Sequence, residues 1–419
     1  MTNPPDGIQP QDPLARFRLK IAENARAWLG FVRDQRTESP ALTREFANLD
    51  RAANQALHEP NAWREGLRLV GALWPFIESH GYWLTWRPAL DRALVVSRRL
   101  KDLAAEVEIT DQLGELARNV GENRAALDWQ EQALKLARSL GDPAVVGRVL
   151  IHLSQQHLPQ SRYQEAKACC EEAIALLEPL EEEGEVAIAH NNWGIACLEE
   201  GLMDSALAHL VRAEAMFEMQ NNRRGQAKVL HNQGEVYLRQ DRWAEAGPLY
   251  EWSIAMALEA GEEVSAMRSR TSLAILLHKQ GQHEEALDLH RGIERFYRRL
   301  GDRTMLARVI NNEGTFLLAL GRHDEAALAY EQAIQMHTDI GHLADAALSL
   351  FNWVELLLDR GDAEQARVRL RQAEELLGEL PDSMAQLRQL YSSLLQQAVV
   401  ERSSVQEIRV AGPLESRMP

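Results

Sequence analysis

One register of residues returns every 40 positions along this 419-residue chain. Its markers are Gly114, Ser154, Gly194, Gly234, Ala274, Gly314 and, last, the larger Val354. Twelve residues after each marker stands an alanine, in turn Ala126, Ala166, Ala206, Ala246, Ala286, Ala326 and Ala366. Seven after each stands a turn residue, from Gly121 and Ser161 through Gly201, Asp241, Gly281 and Gly321 to Gly361. A fixed period of this length means stacked supersecondary units, none of which can bury its apolar face alone. It overrides the domain count that length alone would suggest, because such an array grows by adding units rather than by enlarging one core.

Residues 184–222 show how one unit is built. Ile188, Trp193, Ala196 and Cys197 recur at helical spacing, and Gly201 supplies the left-handed backbone that closes a helix. Asp204 offers a carboxylate to cap the next helix, which carries Ala206, Leu207, Leu210, Ala213 and Phe217 on one face. A second terminator column, Gly141, Asn221, Gly261, Gly301 and Gly341, lies 27 residues past the markers. Each unit is therefore a helical hairpin, and small residues in the marker and alanine columns let its helices approach closely. Counting 40 back from Gly114 reaches Trp74, then Gly81 and Trp86, so residues 60–100 read as a divergent further unit.

The segments LGELARNVG (Leu113–Gly121) with Ala126 and Ala133, and QGEVYLRQD (Gln233–Asp241) with Ala246, resemble the tetratricopeptide repeat. The 40-residue length is similar to the extended form found in kinesin light chains and many bacterial regulators. This resemblance implies an all-α fold, a right-handed superhelical solenoid of antiparallel helix pairs. The stretches FANLDRAANQAL (Phe46–Leu57) and WREGLRLVGALWPFIESHGYWLTWRPALDRAL (Trp63–Leu94) resemble the start of the helical sensor arm in bacterial STAND-type signal-transduction ATPases. No G-x-x-x-x-G-K-[ST] sequence occurs, so nucleotide switching does not carry over. The expected organisation is a disordered N-terminus (1–11), an N-terminal helical segment (12–58) and a solenoid of about eight repeats (59–381). A C-terminal capping helix at 382–402, begun by Asp382 after Pro381, and a disordered tail at 403–419 complete it.

A formal net charge of −16 argues against binding nucleic acid, which needs a basic stripe to displace phosphate counterions. Cys169, Cys170 and Cys197 have neither disulfide nor metal spacing and read as buried thiols in a reducing compartment. The first residues lack the basic start and apolar centre of a signal peptide, and no apolar run reaches membrane-span length, so a cytoplasmic location without membrane association is expected. His278, His283 and His290 do not form an HExxH site, and the carboxylate pairs lie on solvent faces without a pocket signature. No enzyme activity, cofactor or metal is therefore expected. Trp83, Trp86 and Trp252 read as packing residues rather than base-stacking platforms.

The resemblance implies that the first helix of each unit lines the binding face. Two columns there, two and six residues before each marker, lie four apart and share a helix face. The nearer reads Gln112, His152, Asn192, Asn232, Ser272, Asn312, Asn352; the farther reads Glu108, Arg148, Ile188, Lys228, Arg268, Arg308, Leu348. An asparagine ladder can hydrogen-bond the backbone of an extended peptide, or it can bridge neighbouring first helices. The basic column can pair with acidic side chains or a free carboxylate of a partner, or with acids of the array itself. The candidate groove residues are Asn192, Asn232, Asn312, Asn352, Arg148, Lys228, Arg268 and Arg308, extended by His231, Arg239 and Lys279. The expected function is non-catalytic capture of a protein or peptide partner. The alternative is a sensor subunit that controls a separate STAND-type ATPase or transcription regulator through a small-molecule inducer.

Overall fold

A computed structural model describes residues 13–35, 39–380 and 387–398. Among them every regular element is helical. The helices are α1 (Pro13–Arg33), α2 (Pro40–His58), α3 (Trp63–His80), α4 (Trp83–Leu100), α5 (Leu103–Asn119) and α6 (Asn123–Leu140). They continue as α7 (Pro143–His157), α8 (Tyr163–Leu177), α9 (Glu183–Glu199), α10 (Met203–Met219), α11 (Arg223–Arg239) and α12 (Trp243–Glu259). The last are α13 (Glu263–Lys279), α14 (His283–Leu300), α15 (Arg303–Ala319), α16 (His323–Asp339), α17 (Leu343–Asp359) and α18 (Ala363–Gly378), followed by a helix over 387–398. The expected tails at 1–11 and 403–419, and the ends of the expected capping segment at 382–386 and 399–402, lie outside the described residues. No described helix is long and apolar enough to cross a membrane.

The chain divides into two compact units, up to Asn232 and from Gln233, with the boundary inside α11. In the first unit, the first helices α3, α5, α7 and α9 touch one another in succession as well as their own partners. In the second, α13, α15 and α17 do the same.

Turn chemistry sets this arrangement. Among the described residues, every one with positive φ falls on a 20-residue ladder from Gly81 to Gly361, one rung closing each first helix and the next closing each second helix. Glycine holds most rungs, but Lys101, Ser161, Glu181, Asn221 and Asp241 adopt the same left-handed backbone. Asp102, Asp142, Asp302 and Asp362 each accept a hydrogen bond from a backbone N–H of the helix they start. Asp204 does not: α10 begins at Met203 after Leu202, and Asp204 falls in its first turn. There it still favours the positive end of the helix dipole.

Close packing follows from complementary sizes. A Cβ added at Gly234 or Gly314 would stand 2.6 Å from the ring of Tyr250 or Tyr330, sixteen residues on. Gly194 faces Leu210 and Gly114 faces Gln130 in the same way. Where the marker is larger the partner differs: Ser154 pairs with Cys170, and Val354 packs in one cluster with Leu370. At the N-terminal end, α1 to α4 share a core in which Trp86 is fully buried and Phe46 stacks on Tyr82 with centroids 4.3 Å apart. Two side chains depart from expectation. Trp252 lies 57% exposed on α12 rather than in the core, and Cys169 is only partly buried, unlike Cys170 and Cys197.

Candidate functional site

The asparagine column turns out to be a seam between first helices. Asn192 is buried, and its Nδ2 donates to the Ser154 Oγ at 3.0 Å and the Ile151 carbonyl at 3.4 Å. Asn232, also buried, donates to Asn191 Oδ1 at 2.8 Å, and half-buried Asn352 donates to Asn311 Oδ1 at 3.1 Å. Each bond reaches back to the preceding first helix, which is the bridging alternative. Burial removes Asn192, Asn232 and the neighbouring His231 from an outward ladder, whereas Asn312 is half-exposed. A buried amide without a partner is costly, so a small polar column between apolar neighbours fixes the register of adjacent helices.

The basic column is different, because Arg148, Lys228, Arg268 and Arg308 are all exposed, as are Arg239 and Lys279. Arg308 is engaged within its own unit, with Nη2 3.2 Å from Asp345 Oδ2. Arg148 occupies the equivalent place beside Glu185, feels both Glu185 and Glu108, and makes no ion pair among the described residues.

In the first unit this column opens into a cavity of about 760 Å³ between α3, α5 and α7. Leu67, Trp74, Pro75, Val145 and Val149 supply its apolar wall. Arg64, Arg68 and Arg148 line it, and none of the three has an ion-pair partner among the described residues. One turn after Arg148 on α7, His152 Nδ1 lies 2.9 Å from both carboxylate oxygens of Asp111. Burial alone would depress the His152 pKa, but Asp111, Glu115 and Glu185 outweigh it and push it up to about 10. His152 is thus a cation at neutral pH, already matched by Asp111. Glu115 is anchored below by Arg118 at 2.7 Å and by Gln156 at 3.0 Å.

Glu108 also lines the cavity, with Gln112 donating to it at 3.3 Å. Burial against the wall and then the charge of Asp111 raise its pKa, while Arg148 and Gln112 draw it down. Gly71 makes room for it: a Cβ there would fall 2.4 Å from Glu108 Oε1. The arrangement offers available guanidinium groups beside an apolar wall, which suits a carboxylate carried on an apolar body.

Of the residues expected to form the groove, only Arg148 lies in this cavity. Arg68 could have been found, since it stands six residues before Trp74 and so continues the basic column into the divergent unit. Arg64 carries no such signal.

Comparison with known proteins agrees with the architecture. Residues 185–259, 225–299 and 263–339 match the tetratricopeptide repeat family, so the stretch 185–339 is a run of these repeats. The regulatory protein AfsR of Streptomyces griseus is 31% identical over 183 residues, 44% of this chain and 18% of that protein. A Rap protein crystallised with competence and sporulation factor shares the fold with a TM-score of 0.60 at 14% identity, over 87% of this chain and 99% of that one. A STAND protein with a tetratricopeptide repeat sensor from Pyrococcus horikoshii has a TM-score of 0.58 at 13% identity, over 89% of this chain and 55% of that one. The chain spans less than half the length of the curated relatives it matches.

Proposed function

We propose that this chain is a non-catalytic regulatory interaction module that takes an acidic segment of a protein partner on its first-helix face. The cavity between α3, α5 and α7 receives an acidic side chain or a terminal carboxylate of that segment. The observation that carries this reading is the trio Arg64, Arg68 and Arg148, exposed and unpaired around one apolar-walled cavity in a chain of net charge −16. The exposed cations Lys228, Arg268 and Arg308 extend the basic column beyond it. Likeness to a regulatory protein supports a regulatory setting, and the Rap protein bound to its factor is a precedent for ligand capture on this fold.

The test is a panel of acidic and neutral peptides, each with a free or an amidated C-terminus, titrated into the full chain. Acidic or free-carboxylate peptides should bind best, and Arg68→Glu with Arg148→Glu should weaken them more than about tenfold, an amount typical for loss of a charge-assisted pair. Equal binding by that folded double variant, or preference for neutral peptides, overturns the proposal. Arg268→Glu with Arg308→Glu reports separately on the second unit.

A second reading is a sensor arm for a small-molecule inducer, acting on a separate STAND-type ATPase. The cavity volume of about 760 Å³ favours it, since small-molecule sites occupy roughly 300–1,000 Å³. An acidic metabolite that binds in place of the peptides, together with changed turnover of an added ATPase, would select this reading.

A further inference from the structure

The turn between α16 and α17 departs from the repeat in two columns at once, and an acid stands beside them. Residue 337 belongs to a column that elsewhere reads Ser97, Ala137, Leu177, Phe217, Ala257, Tyr297 and Leu377, all buried. Here it is His337, only 1% exposed. Residue 342 opens a first helix where the other units place Asp102, Asp142, Glu182, Asn222, Glu262 and Asp302, and here it is His342. Residue 345 follows three later as Asp345.

These changes converge in space. One ligand atom from each of His337, His342 and Asp345 lies within 4.8 Å of the other two. The tight turn fixes the pair of histidines, because His342 N–H donates to the His337 carbonyl at 2.9 Å. His342 Nδ1 stands 3.5 Å from Asp345 Oδ2. The Nδ1 of His337 is buried and has no hydrogen-bond partner. A buried histidine with a nitrogen left without a bond is costly in itself, and here its ring stands beside two further ligand groups.

We propose that His337, His342 and Asp345 bind a divalent transition-metal ion of the zinc class. Two imidazole nitrogens and one carboxylate oxygen match zinc and exclude the all-oxygen preference of magnesium and calcium. Zinc bonds of roughly 2.0–2.2 Å require the three atoms to draw closer together. Half-exposed His342 and Asp345 have the freedom to do so, while buried His337 is the fixed point. The group opposing the ion is Arg308, whose Nη2 is 3.2 Å from Asp345 Oδ2. Metal binding takes Asp345 from Arg308 and returns that guanidinium to the first-helix face.

The test uses the full chain, free of any histidine tag and stripped by chelator, titrated with zinc alone and with cobalt alone. Calorimetry should show one zinc ion per chain, and cobalt should develop visible absorption from coordinated nitrogen and oxygen. His337→Leu restores the residue that Leu177 and Leu377 already supply in that column, so it should keep the fold and raise its melting point while weakening zinc at least about tenfold. Asp345→Asn should weaken zinc similarly, and Arg308→Ala should tighten it by removing the competing cation. No uptake by the wild type, or unchanged affinity in folded His337→Leu, overturns the proposal. Unchanged affinity would assign the zinc to other histidines of the chain, such as the His190 and His209 pair.

Discussion

The same substitution, glycine to alanine inside a helix, should have opposite signs at two positions. At Gly292, within α14, an added Cβ meets nothing within 4 Å. Only the backbone gain remains there, about 0.5–1 kcal/mol of added stability. At Gly194, within α9, the Cβ would lie 2.7 Å from Leu210 Cγ, 2.9 Å from Leu210 Cδ2 and 3.2 Å from the Ala206 carbonyl oxygen. Neither the branch carbon nor the backbone can swing away, so overpacking costs about 1–3 kcal/mol. After the helix gain is subtracted, Gly194→Ala should destabilise its hairpin by up to about 2.5 kcal/mol, with a middle value near 1 kcal/mol. Global melts of repeat arrays mix several transitions, so the assay is amide hydrogen exchange by mass spectrometry over α9 and α10. Exchange there should accelerate, by about 5-fold at the middle value, and α14 should slow in Gly292→Ala. Adding Leu210→Cys, which copies the smaller partner of Ser154, should recover part of the loss. Equal protection gains in both glycine variants would refute the size-matching argument.

Three other outcomes follow from the geometry. Glu181→Gly should raise the thermal midpoint, because a left-handed non-glycine backbone costs about 1–2 kcal/mol, partly offset by glycine's entropy. The same change at exposed Glu182, whose φ is −81°, should not. Because the His152 pKa rises from its ordinary 6.5 to about 10, its contribution is complete below about pH 6.5 and is lost as pH climbs through about 10. Urea midpoints of the first unit should therefore fall from neutral to alkaline pH, and Asp111→Asn should lower the neutral value and flatten that fall; parallel curves would exclude the pairing. Asn192→Ala should cost about 1–2 kcal/mol and speed exchange in both α7 and α9, since the amide joins them.

Most of the fold was legible because the residues that make it repeat. Gly201 and Gly281 announce left-handed turns on their own, whereas Lys101 and Glu181 do so only by standing on the same 20-residue ladder. Residue type hid them; position did not. The asparagine column was visible, but sequence could not say which way it faced. Whether Asn192 meets solvent or the Ser154 hydroxyl depends on how far one first helix is turned about its axis against the next, and no residue encodes that alone. Trp252 misled for a related reason: its size suggests a core, yet its place on α12 faces outward. The cavity was legible in part, through Arg68 and Arg148 in one column, while Gly71 and Glu108 fit each other only in three dimensions.

The columns separate by what constrains them, and that separation bears on binding. A marker and its partner sixteen residues later are tied by volume, and the amide column is tied by buried hydrogen bonds. The column six before the marker reads Arg68, Glu108, Arg148, Ile188, Lys228, Arg268, Arg308 and Leu348, changing charge and polarity from unit to unit. What such a residue does is then decided by its immediate neighbours. Arg308 and Asp345 close into an ion pair at 3.2 Å. Arg148 and Glu185 occupy the same two columns yet do not close, since Glu185 is also drawn to His152 and Arg148 is shared with Glu108. One pair of columns therefore gives a satisfied cation in the second unit and an available one in the first. An acidic ligand must compete with Asp345 for Arg308, but at Arg148 it meets a guanidinium without a committed partner, beside Arg64 and Arg68 in the same cavity.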